Sequence, residues 1–344
     1  MRSLHLLVPA LFWPDSGSAP AGNPLRLPAL ETLFARGSVT EEDQPGIERW
    51  LAGHFGLDLQ VELPLAAIAL AGAGREPGDR FWLRADPVHL HAQGVELFLT
   101  RGADLDVRAD EADAMIDALN AYFVPDGLRF EAHGSRDWYV PLAAAPGLQT
   151  TPLGLAHGRS IDALLPKGDD ARIWLRRVNE AQMLLHDLPV NAAREERGEP
   201  AVNSLWLWGG GRLPAMALRR VDRVLATDGL TRGFGVLAGA LVDKPTAGAA
   251  DLFAQASAGD TFVHLDHGTD AAARGDAVAW STALAALDAD WVAPALRAVA
   301  RGSLGGVQVT GYGGRRGLTA AAGRGALRRF WRRAAPLATR RPSS

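Results

Sequence analysis

The feature that most constrains this chain is the run Asn203-Ser204-Leu205-Trp206-Leu207-Trp208, apolar from Leu205 on, which closes on Gly209-Gly210-Gly211. A short apolar run bounded by turn residues reads as a core strand, and the glycines as the tight turn it enters. A phosphate-cradling loop is the other reading of such glycines, but the Gly-Lys-Ser/Thr ending and the Gly-x-Gly-x-x-Gly spacing are both missing. Strands and helices alternate around this run. Leu4 to Val8 reads as a strand, and a helix follows from Pro28 to Arg36 with proline at its start and Gly37 at its end. Residues 47–55 and 64–71 read as helices, as does the stretch from about 170 to 186. Residues 261–265 form an expected strand, 277–300 a long helix and 307–311 a further strand. This alternation predicts an α/β fold on a mainly parallel sheet flanked by helices.

The length, 344 residues, suits two domains or one large unit with an insertion. The texture changes near Pro77-Gly78-Asp79. Strand-like runs at 81–85, 95–100, 128–132 and 138–142 surround one amphipathic helix at 111–123. There Ala112, Met115, Ile116, Leu119 and Phe123 make an apolar stripe, with acids on the other face. The expected organisation is a split core of 1–80 and 147–344 carrying a smaller inserted α+β domain at 81–146.

Cysteine is absent, which excludes disulfides, thiolate catalysis and cysteine-held metals, so any metal must be held by carboxylates and the nine histidines. The amino-terminal apolar run is short and ends at Pro9, a strand rather than a signal peptide. No stretch approaches the roughly 20 apolar residues that span a bilayer, and the expected address is the cytoplasm. His-Glu-x-x-His and Gly-x-Ser-x-Gly patterns are missing.

The stretch Asp187-Leu-Pro-Val-Asn-Ala-Ala-Arg194 through Pro200-Ala-Val-Asn-Ser-Leu-Trp-Leu-Trp-Gly-Gly-Gly-Arg212 resembles the archaeal-type cofactor-independent phosphoglycerate mutases of the alkaline phosphatase superfamily. Weaker resemblances follow in the same order: residues 25–37, Leu164-Leu-Pro-Lys-Gly168, Phe81 to Asp86 with Trp138 to Val140 at the bounds of an inserted lid, and Thr261 to Asp270. The architecture is similar also to that of bacterial RpfE-type regulatory proteins. The resemblance implies an alkaline-phosphatase-like core with a lid. For an active member it implies a two-metal site (Mn, Mg or Zn) and a serine or threonine nucleophile, where the cations would clamp the attacking and leaving oxygens.

The residues such a site needs are eroded. Val8 is followed by Pro9-Ala10-Leu11-Phe12-Trp13 where the resemblance implies an Asp-Gly metal motif. Asp15 and Ser16 lie further on; they either substitute as ligand and nucleophile or form a turn beside Pro14 and Gly17. Thr269-Asp270 is kept but its following histidine is missing, and the Gly-Asp-His motif reads Thr310-Gly311-Tyr312-Gly313. His264, Asp266, His267 and Asp270 are the densest remaining ligand set, either a rebuilt metal site or a strand-end polar cluster that satisfies itself. Arg84, Arg194 and Arg212 are candidates to hold a phosphorylated small molecule with guanidinium forks. Asn191 is a further candidate, with loop bracing as its other reading.

The expected function is a non-catalytic regulatory or ligand-sensing protein with an unknown protein partner. The alternative is an active metal-dependent phosphomutase or phosphoesterase with relocated ligands. After Asp290 no acidic residue occurs while eleven arginines do, and residues 327–337 read as a short basic amphipathic helix. That terminus offers a third reading, binding of nucleic acid, a partner or an anionic surface. Its other reading is a solvated terminal helix with a frayed tail, which the slightly negative whole, at −3, favours over nucleic-acid binding.

Overall fold

The computed structural model describes residues 2–13, 25–60, 62–101, 105–215, 220–255, 259–313 and 315–337. Asp15 and Ser16 lie outside them. The chain divides into two compact units, Met1–Asp58 with Met216–Ser344, and Leu59–Ala215. The described strands, in chain order, are β1 (Ser3–Val8), β2 (Ser38–Glu42), β3 (Phe81–Gln93), β4 (Glu96–Arg101), β5 (Glu131–Ala132), β6 (Trp138–Leu142), β7 (Ser204–Gly211), β8 (Arg223–Leu225), β9 (Leu241–Asp243), β10 (Thr261–His264), β11 (Gly306–Tyr312) and β12 (Gly317–Gly323).

The first unit is built on a seven-stranded sheet in the order β2-β12-β11-β1-β10-β8-β9. Five neighbours from β11 to β9 run parallel, while β12 and β2 run antiparallel at one edge. Strand alternation sorts the two faces. Leu4, Leu6 and Val8 join a core with Leu30, Leu33 and Phe34 of the helix Pro28–Arg36 and with Leu284, Leu287, Trp291 and Val299 further along. His5 points to the opposite face, where its ring meets Trp50, His54 and Phe262, and Phe55 stacks on Phe234. Burial holds His5 down to about 3 and His54 down to about 4, so both rings are neutral.

The long helix expected at 277–300 forms as Ala277–Leu287 and Ala293–Arg301 joined by a π turn, Asp288–Val292. The turn puts the Asp288 carboxylate on the N–H groups of Ala29 (3.0 Å) and Leu30 (2.7 Å). These are free donors at the start of the helix Pro28–Arg36, whose own preceding residue, Leu27, cannot cap them. The helix expected at 327–337 does not form beyond the single turn Arg324–Leu327. Arg328 with Arg332, and Arg329 with Arg333, would stack like charges at i,i+4, and Pro336 cannot donate to a helix.

The second unit holds a separate antiparallel sheet in which β3 pairs with β4, β6 and β7, and β5 with β6. Its core joins Met115, Leu119 and Phe123 of the helix Ala109–Phe123 with Trp138, Val140, Trp174, Leu185, Leu205 and Leu207. The unit is wider than the expected insertion at 81–146, because β7 pairs with β3 (Ala85 opposite Leu207) and not with the parallel sheet. The expected strand at 128–132 shortens to β5, and β2 had no sequence signal because its residues are mostly exposed and do not alternate.

The three glycines are neither a turn nor a phosphate loop. They are buried residues of β7. A Cβ on Gly211 would lie 2.3 Å from Pro64 Cβ, one on Gly209 would lie 3.0 Å from Leu65 Cβ, and one on Gly210 would lie 3.0 Å from the Phe81 ring. Glycine is what lets the alanine-rich helix Leu65–Gly72 approach the strand. Gly211→Ala is therefore expected to cost about 1–3 kcal/mol by overpacking. Urea unfolding checks it against Gly325→Ala, whose Cβ enters open space and should stay within about 0.5 kcal/mol of the parent.

Among the described residues no helix is long and apolar enough to cross a membrane.

Candidate functional site

In open α/β sheets, ligand sites lie outside the carboxyl ends of the parallel strands. At the ends of β8 and β10 the chain builds one polar cluster. After β8, Asp228 caps the helix Gly229–Leu237, its Oδ1 accepting from the Thr231 N–H at 2.7 Å. Its other oxygen lies 2.6 Å from Nδ1 of His264, the last residue of β10, and the Thr231 hydroxyl lies 2.7 Å from the same nitrogen. On the other side of the ring Nε2 is 3.1 Å from Asp266 Oδ1, and Asp266 Oδ2 accepts from the Thr227 hydroxyl at 2.9 Å.

His264 is buried, which disfavours its charge, yet Asp228 first and Asp266 second outweigh burial and push it up to about 10. The ring is an imidazolium at neutral pH. The same contact holds Asp228 below the usual carboxylate range and takes Asp266 down to about 2, against burial in both cases. A metal would have to displace a proton from such a ring before it could bind there. His267 is half-buried and burial lowers it, while Asp270 is exposed on the first turn of the helix Thr269–Ala273 and makes none of these contacts. Among the described residues no group of three or more His, Asp and Glu side chains is arranged to hold a metal. The four expected ligands thus resolve into an ion-paired clamp, His264 with Asp266, and two neighbours outside it. Asp228 is not among the residues that the sequence singles out. Its signal was the Asp-Gly at a helix start, but its partner stands 36 residues on.

The ends of β1 and β11 are filled with apolar side chains. Ala10, Leu11, Phe12 and Trp13 are all buried. The Phe12 N–H donates to the Tyr312 carbonyl at 3.1 Å, Trp280 Nε1 donates to the Ala10 carbonyl at 2.8 Å, and Trp13 meets the Trp280 ring edge-on. A Cβ on Gly311 would lie 2.2 Å from Leu11 Cδ2, and one on Gly313 would lie 2.6 Å from Phe12 Cβ. At Gly313 there is therefore no room for an imidazole. The described donor set does not fit a two-metal centre.

The expected anion-binding residues lie in the second unit. Arg84 on β3 is buried; its Nε donates to Asp86 at 2.9 Å, one terminal nitrogen to the Tyr139 hydroxyl at 2.9 Å and the other to Asp137 at 2.5 Å. Its guanidinium also lies over the Tyr139 and Trp208 rings, and Trp208 Nε1 donates to Asp86. Burial raises Asp86 to about 6 against the pull of Arg84. Arg194 is fully buried and bonded to Glu111 (2.5 Å), the Pro200 carbonyl (2.9 Å) and the Leu105 carbonyl. Asn191 bridges the Leu185 and Val202 carbonyls and accepts from the Val202 N–H. These polar groups are committed to protein. Arg212 is exposed, with one long contact of 3.4 Å to the Ala143 carbonyl.

No family model matches the chain. Among curated proteins it is 28% identical over 236 residues to a probable 2,3-bisphosphoglycerate-independent phosphoglycerate mutase of Geobacter sulfurreducens, covering 64% of this chain and 58% of that protein. It is 31% identical over 197 residues to the 2,3-bisphosphoglycerate-independent phosphoglycerate mutase of Methanothrix thermoacetophila, covering 52% and 50%. With that of Methanosarcina acetivorans it shares 25% over 234 residues, covering 62% and 57%. The aligned region spans little more than half the length of these relatives. Among solved structures, the PH0037 protein from Pyrococcus horikoshii matches in fold with a TM-score of 0.57 at 16% identity, over 94% of this chain and 87% of that one.

Proposed function

We propose, on the premise that this chain is a phosphoglycerate mutase-like protein of the alkaline phosphatase superfamily, that it keeps the framework of that group without its phosphoryl-transfer chemistry and serves as a regulatory or ligand-sensing protein. The observation that carries the reading is the packing at the ends of β1 and β11, where Phe12 occupies the space that a side chain on Gly313 would need and the neighbouring position is the buried Tyr312. The contacts of His264 support it, since a cation would have to displace a ring proton held beside Asp228 and Asp266.

The test is turnover. Purified chain supplied with Mn²⁺, Mg²⁺ or Zn²⁺ is expected neither to interconvert 3- and 2-phosphoglycerate nor to hydrolyse p-nitrophenyl phosphate above the buffer rate. Metal-dependent turnover that Asp266→Ala or Asp270→Ala abolishes would instead establish an active phosphomutase or phosphoesterase with relocated ligands.

A further inference from the structure

We propose that the segment from Arg324 to Arg333 is a docking surface for an anionic phospholipid bilayer. Phe330 is 77% and Trp331 67% exposed, and their rings stand edge-on at 5.4 Å. Two adjacent large rings in water are costly to leave uncovered, at about 25 cal/mol for each Å² of apolar surface. Arg324, Arg328, Arg332 and Arg333 are exposed around them, with Arg329 half-buried. No acidic residue follows Asp290 in the chain.

The segment is fixed at both ends. Leu327 packs against the core of the first unit and its carbonyl accepts from Arg36 at 3.0 Å, while Leu337 is buried in that core. Between the anchors the rings are presented by a tethered loop and not by a fraying tail. Beside it lies an open depression of about 430 Å³ lined by Phe34, Ala35, Gly37, Val39, Arg332 and Arg333. Its two guanidinium groups suit an anionic head group.

Arginine beside tryptophan and phenylalanine is the make-up of an interfacial anchor, the rings entering the head-group boundary and the cations meeting acidic lipid. Nucleic acid calls for several phosphate contacts along a basic track. Here the arginines flank two exposed rings within one short segment of a chain of net charge −3.

Vesicle co-sedimentation of the full chain tests the proposal. At 0.1 M salt the chain is expected to bind phosphatidylcholine vesicles containing 30% phosphatidylglycerol and not pure phosphatidylcholine. Each guanidinium near an anionic surface contributes roughly fivefold, so Arg332→Gln with Arg333→Gln should weaken binding about twenty-five-fold. Phe330→Ser with Trp331→Ser should weaken it at least tenfold, with the melting temperature of either variant unchanged. The proposal fails if the anionic vesicles are not bound, if both vesicle types bind equally, if neither pair of substitutions matters, or if a 30-nucleotide oligonucleotide binds while the vesicles do not.

Discussion

Replacing Arg194 by methionine is expected to destabilise the chain by about 3–5 kcal/mol, the largest effect among its expected arginine sites. The residue is fully buried and its three donor nitrogens reach Glu111 and two backbone carbonyls. Removing a buried cation leaves the Glu111 carboxylate in the interior with fewer partners and strands the Leu105 and Pro200 carbonyls, and the cost of breaking such a pair falls in that range. Lysine should not rescue it, because one ammonium cannot span three acceptors set by a planar fork. Urea denaturation of the parent, Arg194→Met and Arg194→Lys decides the matter. A loss under 1 kcal/mol, with phosphate-dependent stabilisation of the parent, would return Arg194 to the role of an anion ligand.

The second large effect concerns His264. Its pKa rises from 6.5 to about 10 in the folded chain, burial being outweighed by Asp228 and Asp266. A group whose folded pKa is raised contributes stability that is complete below its unfolded value and is lost as pH climbs through the folded one. The parent should therefore lose stability between about pH 6.5 and pH 10, and His264→Ala should be flat across that window. At pH 6 the substitution should cost roughly 2 kcal/mol, below the range for a fully buried pair because Asp228 and Asp266 keep side-chain exposures of 30% and 46%. Thermal melts from pH 6 to 10 on both proteins measure this. Parallel profiles would mean that the ring is not held as a cation.

Local elements were legible where one physical cause governed them. The helix Pro28–Arg36 was readable to its ends from its proline and its following glycine, and the strand Ser3–Val8 from its mostly apolar residues. The second unit's extent was not legible, because an apolar run carries no mark of which sheet it joins. Leu205 and Leu207 look the same whether β7 pairs in parallel or antiparallel. Acids on the helix Ala109–Phe123 read as a solvated face, yet Glu111 is buried, since its partners Arg108, Arg194 and Arg197 arrive partly from 83 and 86 residues away. The candidate site was half legible. Histidine and aspartate stood together in sequence at 264–270, but which carboxylates would claim the ring depended on Asp228, brought in by the next strand of the sheet. The apolar fill beneath Gly311 needed the coordinates, because Leu11 reaches it from the end of another strand.

The central claim is that the strand ends hold a packed clamp in place of a metal centre. The direct measurement is the ¹⁵N–¹H spectrum of the His264 imidazole, assigned by difference with His264→Gln, recorded at pH 8 while Zn²⁺ and then Mn²⁺ are titrated and binding is followed by calorimetry. The prediction is two ring N–H signals that persist through the titration, with no stoichiometric heat of metal binding. Loss of a ring proton as two equivalents of metal bind would contradict it.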